Sequence, residues 1–205
     1  MKTVVFDLGQ VVIKWDPYLP LEGYLTRQEW DAFTLRTGFW AANHALDCGA
    51  RIAEIRRWYR RHHPADVEIF SRYVQNFRKS LTGPVPGVRE IIADLHARNV
   101  ETAVLSNWSA ETFQYALESM PIIECLGPRI VSGVVGVAKP DPLIFQLLLE
   151  KLGAKPGDLI FIDDAVANCS VASQLGIDAI RFENAAQLRT ELALRRLIPA
   201  SLRRV

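Results

Sequence analysis

The chain has only three cysteines, Cys48, Cys125 and Cys169, scattered and without CxxC spacing. That argues against a disulfide scaffold and for reduced, structural thiols in a cytoplasmic protein. No apolar stretch approaches the roughly 18 residues that a membrane-spanning helix requires. The first apolar run is interrupted at Asp7, before the core of a signal peptide could form, so none is expected. Charge of neither sign is in excess: the net charge is +1, which supplies no global attraction to nucleic acid or to a membrane surface. Internal repeats and low-complexity segments are also lacking. What remains is 205 residues, 49% hydrophobic and 23% charged, enough for one domain with an insertion and a sizeable core.

Residues 2–7 form a continuous apolar run, the pattern of a central parallel strand buried on both faces. The texture changes at Trp15-Asp16-Pro17. From there to about Leu81 no strand-like alternation is visible, and helical patches run from Glu29 to Leu35, Ile52 to Tyr59 and Val67 to Phe77. The middle patch carries Ile52, Ile55, Trp58 and Tyr59 at i, i+3, i+6 and i+7, with arginines opposite. Gly83-Pro84-Val85-Pro86-Gly87 then reads as a hinge-like connection. Beyond it, helices near 87–97, 109–118, 141–152 and 166–175 alternate with strands near 101–106, 129–132, 158–163 and 178–182, and a basic amphipathic helix follows. Such alternation predicts an α/β fold with a doubly wound, parallel, Rossmann-like sheet. The expected division is an α/β core of residues 1–14 and 83–205, with residues 15–82 a small all-α cap inserted after the first strand.

In an open parallel sheet, ligands sit at the carboxyl ends of the strands. Asp7, Ser106 and the pair Asp163–Asp164 each close an apolar run, and Lys139 follows Gly133–Ala138 and precedes Pro140. Three carboxylates gathered there would repel; one pair at 4 Å costs about 4 kcal/mol at an effective dielectric near 20. A hard divalent cation removes that cost and leaves coordination sites for water and phosphate. Asp7 could then attack phosphorus and form an aspartyl-phosphate. Ser106 and the backbone N–H of Asn107 would hold phosphoryl oxygens, and Lys139 would neutralise charge in the transition state. Plainer roles exist for each: a strand-end turn for the aspartates, a helix N-cap for Ser106, a solvated loop for Lys139. Asn168, Ala172 and Gly176 read as packing and capping residues of the helix after Asp164.

Phe6-Asp7-Leu8-Gly9, Leu105-Ser106-Asn107, Lys139-Pro140 and Ile162-Asp163-Asp164, in this order and spacing, resemble the four motifs of the haloacid dehalogenase (HAD) superfamily. The resemblance implies that Asp7 is the nucleophile of a hydrolase and that Asp7, Asp163 and the Gly9 carbonyl ligate Mg²⁺, with Asp164 acting directly or through water. It also implies a helical cap that selects the substrate. The chain departs from many phosphatases of that superfamily at Gly9, where they carry a second Asp as general acid and base. Slow turnover, an undemanding leaving group, or an acid supplied from elsewhere would each follow. The Asp-x-Gly form also resembles a branch containing sugar-phosphate phosphatases.

Within the insertion, His44 is a candidate replacement proton donor or hydroxyl-binding group, and Trp40 a candidate stacking surface or core residue. Arg56-Arg57-Trp58-Tyr59-Arg60-Arg61-His62-His63 interleaves basic and aromatic groups, yet helical spacing spreads its arginines over a solvated face, so no nucleic-acid partner is expected. Gln10 could touch substrate or cap. The leading expectation is a Mg²⁺-dependent hydrolase of a small phosphomonoester, with a small phosphorylated molecule as its partner and no membrane association. The alternatives are a 2-haloacid dehalogenase using Asp7 against carbon, or a phosphate-ligand-binding protein of low activity. Leu188, Leu192 and Leu197 beside Arg195 and Arg196 would pack on the core or on a partner, leaving monomer and homodimer both open.

Overall fold

The computed structural model describes residues 2–200. Seven strands are present among them: β1 (Thr3–Phe6), β2 (Ile13–Trp15), β3 (Leu81–Pro84), β4 (Glu101–Ser106), β5 (Arg129–Val131), β6 (Leu159–Asp163) and β7 (Asp178–Arg181). Five of them form one parallel sheet in the order β5-β4-β1-β6-β7. β1 lies at its centre, and all four of its residues are buried, as a strand covered on both faces should be.

The period-2 geometry of a strand splits the core into two layers. Val5, Ala103, Leu105 and Phe161 face one side, against Ile144, Phe145 and Leu148 of α9 (Pro142–Leu152) and Ala172 of α10 (Val166–Gln174). Val4, Phe6, Val104, Ile160 and Ile162 face the other. There they join α5 (Val88–His96) through Ile91 and Leu95, and α11 (Ala185–Leu194) through Leu188 and Leu192. Helices on both faces of a parallel sheet make the fold the expected doubly wound, Rossmann-like α/β type. Leu188, Leu192 and Leu197 all pack on this core.

Four helices lie between β2 and β3: α1 (Arg27–Thr37), α2 (Phe39–Asp47), α3 (Ile52–His62) and α4 (Val67–Gln75). Their interior is aromatic, with Tyr59 stacked on Phe70 at 4.7 Å and Trp30 edge-on to Phe39 at 4.8 Å between ring centres. Thr26 and Glu29 start α1 with a reciprocal capping box. Gly38, at φ 63°, ends α1 and starts α2, a left-handed position that glycine takes without strain. On α3, Ile52, Ile55 and Tyr59 are buried while Trp58 is 39% exposed and stacks on His62, so Trp58 sits at the edge of the stripe.

Several local expectations are corrected. Gly83-Pro84 is no bare hinge: it belongs to β3, which pairs antiparallel with β2 (Ile13↔Pro84, Lys14↔Gly83, Trp15↔Leu81), so one ribbon carries both chain crossings into the helical block. A four-residue strand shows no alternation, and its partner lies some 70 residues away in sequence. α2, not among the expected helices, buries Phe39, Ala42 and Leu46 at i, i+3 and i+7, a stripe of only three residues with one of them an alanine. The helix expected from 109 begins at Phe113, as α6 (Phe113–Ser119), because the Ser109 carbonyl first closes a turn on the Thr112 and Phe113 N–H groups. The short α7 (Ile122–Cys125) follows it. The strand expected near 129–132 is β5, which stops at Val131, and the one-turn α8 (Ser132–Val135) leads into a loop bearing Lys139. No helix among the described residues is long and apolar enough to cross a membrane.

Candidate active site

β1 and β6 run in register, Phe6 beside Ile162, so the residues that follow emerge side by side at the carboxyl edge of the sheet. Asp7 donates its N–H to the Ile162 carbonyl at 2.9 Å and stands next to Asp163. Ser106 ends β4 on the other flank of β1. Lys139 arrives from its loop almost wholly buried, and its ammonium spends three donors on three acceptors: Asp7 Oδ1 at 2.9 Å, Asp163 Oδ2 at 2.6 Å and the Leu105 carbonyl at 2.9 Å. The Asn107 side chain holds that loop in place. Its Oδ1 accepts from the Lys139 N–H and its Nδ2 donates to the Lys139 carbonyl, both at 2.8 Å.

Asp163 is fully buried and held by several donors. Beyond Lys139 it accepts from the Ala165 N–H at 2.8 Å and from Asn168 Nδ2 at 3.0 Å to each oxygen. Asn168, expected only to pack its helix, therefore fixes a site carboxylate. Its place in the first turn of α10, five residues beyond Asp163, was the available signal. Asp164 is exposed and has no ion pair among the described residues.

One oxygen from each of Asp7, Asp163 and Asp164 lies within 4.8 Å of the others, facing a single ammonium. Burial pushes the Asp7 carboxyl up from 3.8 to about 6; Lys139 opposes the rise and the Asp163 charge adds to it. Asp164 is raised by burial and then by Asp163. Burial works against the Lys139 ammonium, but the two carboxylates hold it above its ordinary value. Three acids against one cation leave an uncompensated negative charge, and oxygen-only donors with open positions suit a hard divalent cation. The donor set fits magnesium.

Among the described residues the buried Ser106 hydroxyl has no hydrogen-bond partner, an arrangement that calls for a ligand acceptor or donor. The edge opens into a cavity of about 260 Å³. Its floor includes Asp7 and Gly9, its roof Asn43, Asp47 and Tyr73 from the helical block, and one wall the loop Trp108–Thr112. A Cβ on Gly9 would meet nothing within 4 Å, so that position holds free space. Gln10 also lines the cavity, with φ 59° and its amide bound to the Trp15 carbonyl at 2.8 Å.

Asp7, Gly9, Asn107, Lys139 and Asp164 border this one cavity, with Ser106 and Asp163 buried beneath it. His44 is not brought there: it is exposed on α2, its Nε2 3.6 Å from Cys48 Sγ. Trp40 is half exposed and packs edge-on against Trp15 and Phe39. Sequence reasoning missed Asp47, Tyr73 and Ser109. For Asp47 the one signal was Gly49, which stops the helix and leaves that acid in the last turn.

A model of the haloacid dehalogenase-like hydrolase family matches residues 1–176. Over 124 residues the chain is 33% identical to acyl-CoA dehydrogenase family member 10 of Mus musculus, covering 58% of this chain and 11% of that protein. Over 107 residues it is 29% identical to flavin mononucleotide hydrolase 1 of Arabidopsis thaliana, covering 52% of this chain and 43% of that one. The matches thus span less than half the length of either relative. Among solved structures, a HAD family enzyme of Bacteroides thetaiotaomicron, in complex with magnesium and inorganic phosphate, is similar with a TM-score of 0.69 and 22% identity. That likeness covers 90% of this chain and 95% of the other, and is one of fold.

Proposed function

The chain belongs to the haloacid dehalogenase-like hydrolases, and from that membership we propose that it is a Mg²⁺-dependent phosphomonoesterase acting on a small metabolite through an aspartyl-phosphate on Asp7. The observation that carries this reading is the charge balance of the site: three converging carboxylates and one buried ammonium. Displacement of halide from carbon would have no use for that surplus of acids. A relative named as a hydrolase of flavin mononucleotide, itself a phosphomonoester, points the same way.

Asp7, Asp163, Asp164 and the Gly9 carbonyl would hold Mg²⁺, which when bound would draw charge off the phosphoryl oxygens and relieve repulsion between the ester and the acids. A free oxygen of Asp7 attacks phosphorus; the Asp7 Oδ–P bond forms as the ester P–O bond breaks. Lys139, locked by Asn107, Asp163 and Leu105, keeps Asp7 ionised and oriented while charge builds on the phosphoryl group. The Ser106 hydroxyl and the Asn107 N–H bind phosphoryl oxygens, giving the buried hydroxyl its missing partner. Water then attacks the aspartyl-phosphate and frees Asp7. The helical block acts as a cap that excludes bulk water, and a cavity of about 260 Å³ suits a leaving group of sugar or polyol size.

The test is phosphate release from a panel of sugar, polyol and aryl phosphates, with Mg²⁺ and with EDTA, alongside Asp7→Asn. Metal-dependent release that Asp7→Asn abolishes is the expected result. Release indifferent to EDTA or to the substitution would overturn the reading.

A further inference from the structure

Hydrolysis of an alkyl phosphate needs a proton for the departing alkoxide and then a base for the attacking water. Gly9 supplies neither. Among the described residues, five titratable side chains border the cavity: Asp7, Asp47, Tyr73, Lys139 and Asp164. Asp7 is the nucleophile, Lys139 is committed to two carboxylates, and Asp164 belongs to the metal set. Burial drives the Tyr73 phenol far above its ordinary range, which leaves it a neutral hydrogen-bonding group without a partner. Asp47 remains.

The fold holds Asp47 over the sheet edge through contacts between helical block and core. α2 ends at Asp47, and Gly49 follows with φ 95°, where a Cβ would sit 3.4 Å from both the Gly133 carbonyl and Gly136 Cα. The end of α2 thus rests on the α8 turn. Gly133 is in turn pressed against the loop bearing Ser109, since a Cβ there would fall 2.5 Å from the Ala110 nitrogen and 2.6 Å from the Trp108 carbonyl. Three residues past Gly49, the Ile52 N–H donates to Glu111 at 2.7 Å, a second tether of block to core. Asp47 itself accepts from Asn43 Nδ2, at 3.2 Å, faces the Ser109 N–H, and has no cation partner among the described residues. A half-buried acid on the cavity that Asp7 borders, without a counter-ion among the described residues, is costly as structure and useful as chemistry.

We propose that Asp47 is the catalytic acid and base of this enzyme, carried on the helical block in place of the side chain that Gly9 lacks. The proposal rests on the phosphatase reading above. The neutral Asp47 carboxyl gives its proton to the ester oxygen as the P–O bond breaks and the Asp7 Oδ–P bond forms. The resulting carboxylate takes a proton from water as the water oxygen bonds to phosphorus and Asp7 leaves. Ester and water have become alcohol and phosphate, and Asp47 is again protonated. In support, burial and then the Asp7 charge push the Asp47 carboxyl from 3.8 to about 7, against the opposing pull of Lys139 and the Ser109 N–H, so both forms are accessible near neutrality. A proton donor on the cap also ties acid catalysis to the closed state, in which water is shut out.

The experiment compares Asp47→Asn with wild type in the full chain and in Mg²⁺. It uses two esters: para-nitrophenyl phosphate, whose leaving group needs no proton, and the sugar or polyol phosphate that wild type turns over fastest. On the alkyl ester the variant should lose about 10²–10⁴-fold in kcat. On the aryl ester a rapid-mixing trace should show one equivalent of nitrophenolate released within about threefold of the wild-type rate, then a slow steady state as aspartyl-phosphate persists. The full burst also shows that the variant is folded. Alkyl turnover within about threefold of wild type would overturn the proposal and leave the phosphatase reading intact. So would loss of the aryl burst in step with alkyl turnover, because that marks a structural role. Absence of phosphate release by wild type from either ester would overturn both.

Discussion

Asp47 should be a liability to the fold, and Asp47→Asn should therefore stabilise it in a pH-dependent way. In the unfolded chain this carboxyl titrates at 3.8; in the fold it is held at about 7. Between those values the folded protein binds more protons than the unfolded one, so stability falls as pH rises through the window. Below it the carboxyl is neutral in both states and costs nothing. Above pH 7 the penalty is complete, about 4 kcal/mol, falling to about 0.5 kcal/mol at pH 4. Asparagine keeps an acceptor for Asn43 and for the Ser109 N–H and never ionises. Urea unfolding in EDTA at pH 8 and pH 4 measures the difference between variant and wild type. With a slope of about 2 kcal/mol/M, the pH 8 midpoint should rise by about 2 M and the two proteins should converge at pH 4. Lys139, Tyr73 and Asp7, whose carboxyl is itself pushed to about 6, face Asp47 in both proteins and largely cancel. A variant less stable than wild type at pH 8, or equally stabilised at both pH values, would refute the reasoning.

Lys139→Met strips from two buried carboxylates the one ammonium that pairs with them among the described residues and should cost about 3–5 kcal/mol at pH 8 in EDTA, with saturating Mg²⁺ recovering part of it; calorimetry with and without metal reads both. Asn168→Ala should raise the Mg²⁺ concentration for half-maximal phosphate release about 10–100-fold, because Asp163 loses the amide bonded to both its oxygens. An unchanged requirement would show that Asp163 needs no such support. Gly9→Ala and Gly133→Ala should part ways in urea. The first adds a methyl in free space at an ordinary φ and should stabilise by about 0.4–1 kcal/mol. The second drives a Cβ into the Trp108–Ala110 backbone and should cost about 1–3 kcal/mol or more.

Much of this protein is legible in one dimension. Runs such as Thr3–Phe6 and Leu159–Ile162 announce buried parallel strands because a strand covered on both faces is built almost wholly of apolar and β-branched residues. Asp7, Ser106 and Asp163 could be placed at a common edge because strand ends in such a sheet share one. Those inferences depend on local pattern and one topological rule. Chain folding decided the rest. β3 exists only through its pairing with β2, and Lys139 reaches the carboxylates along a loop that Asn107 clamps, not at a strand end. His44 and Asp47 are three residues apart on one short helix, yet one faces solvent and the other the cavity that Asp7 borders. The amino-acid order alone places Asp7 and its neighbours in the sheet. Which acid lies opposite them depends on how a separate helical block docks, through Gly49 against Gly133 and Gly136, and that contact has no signature in the sequence of either partner.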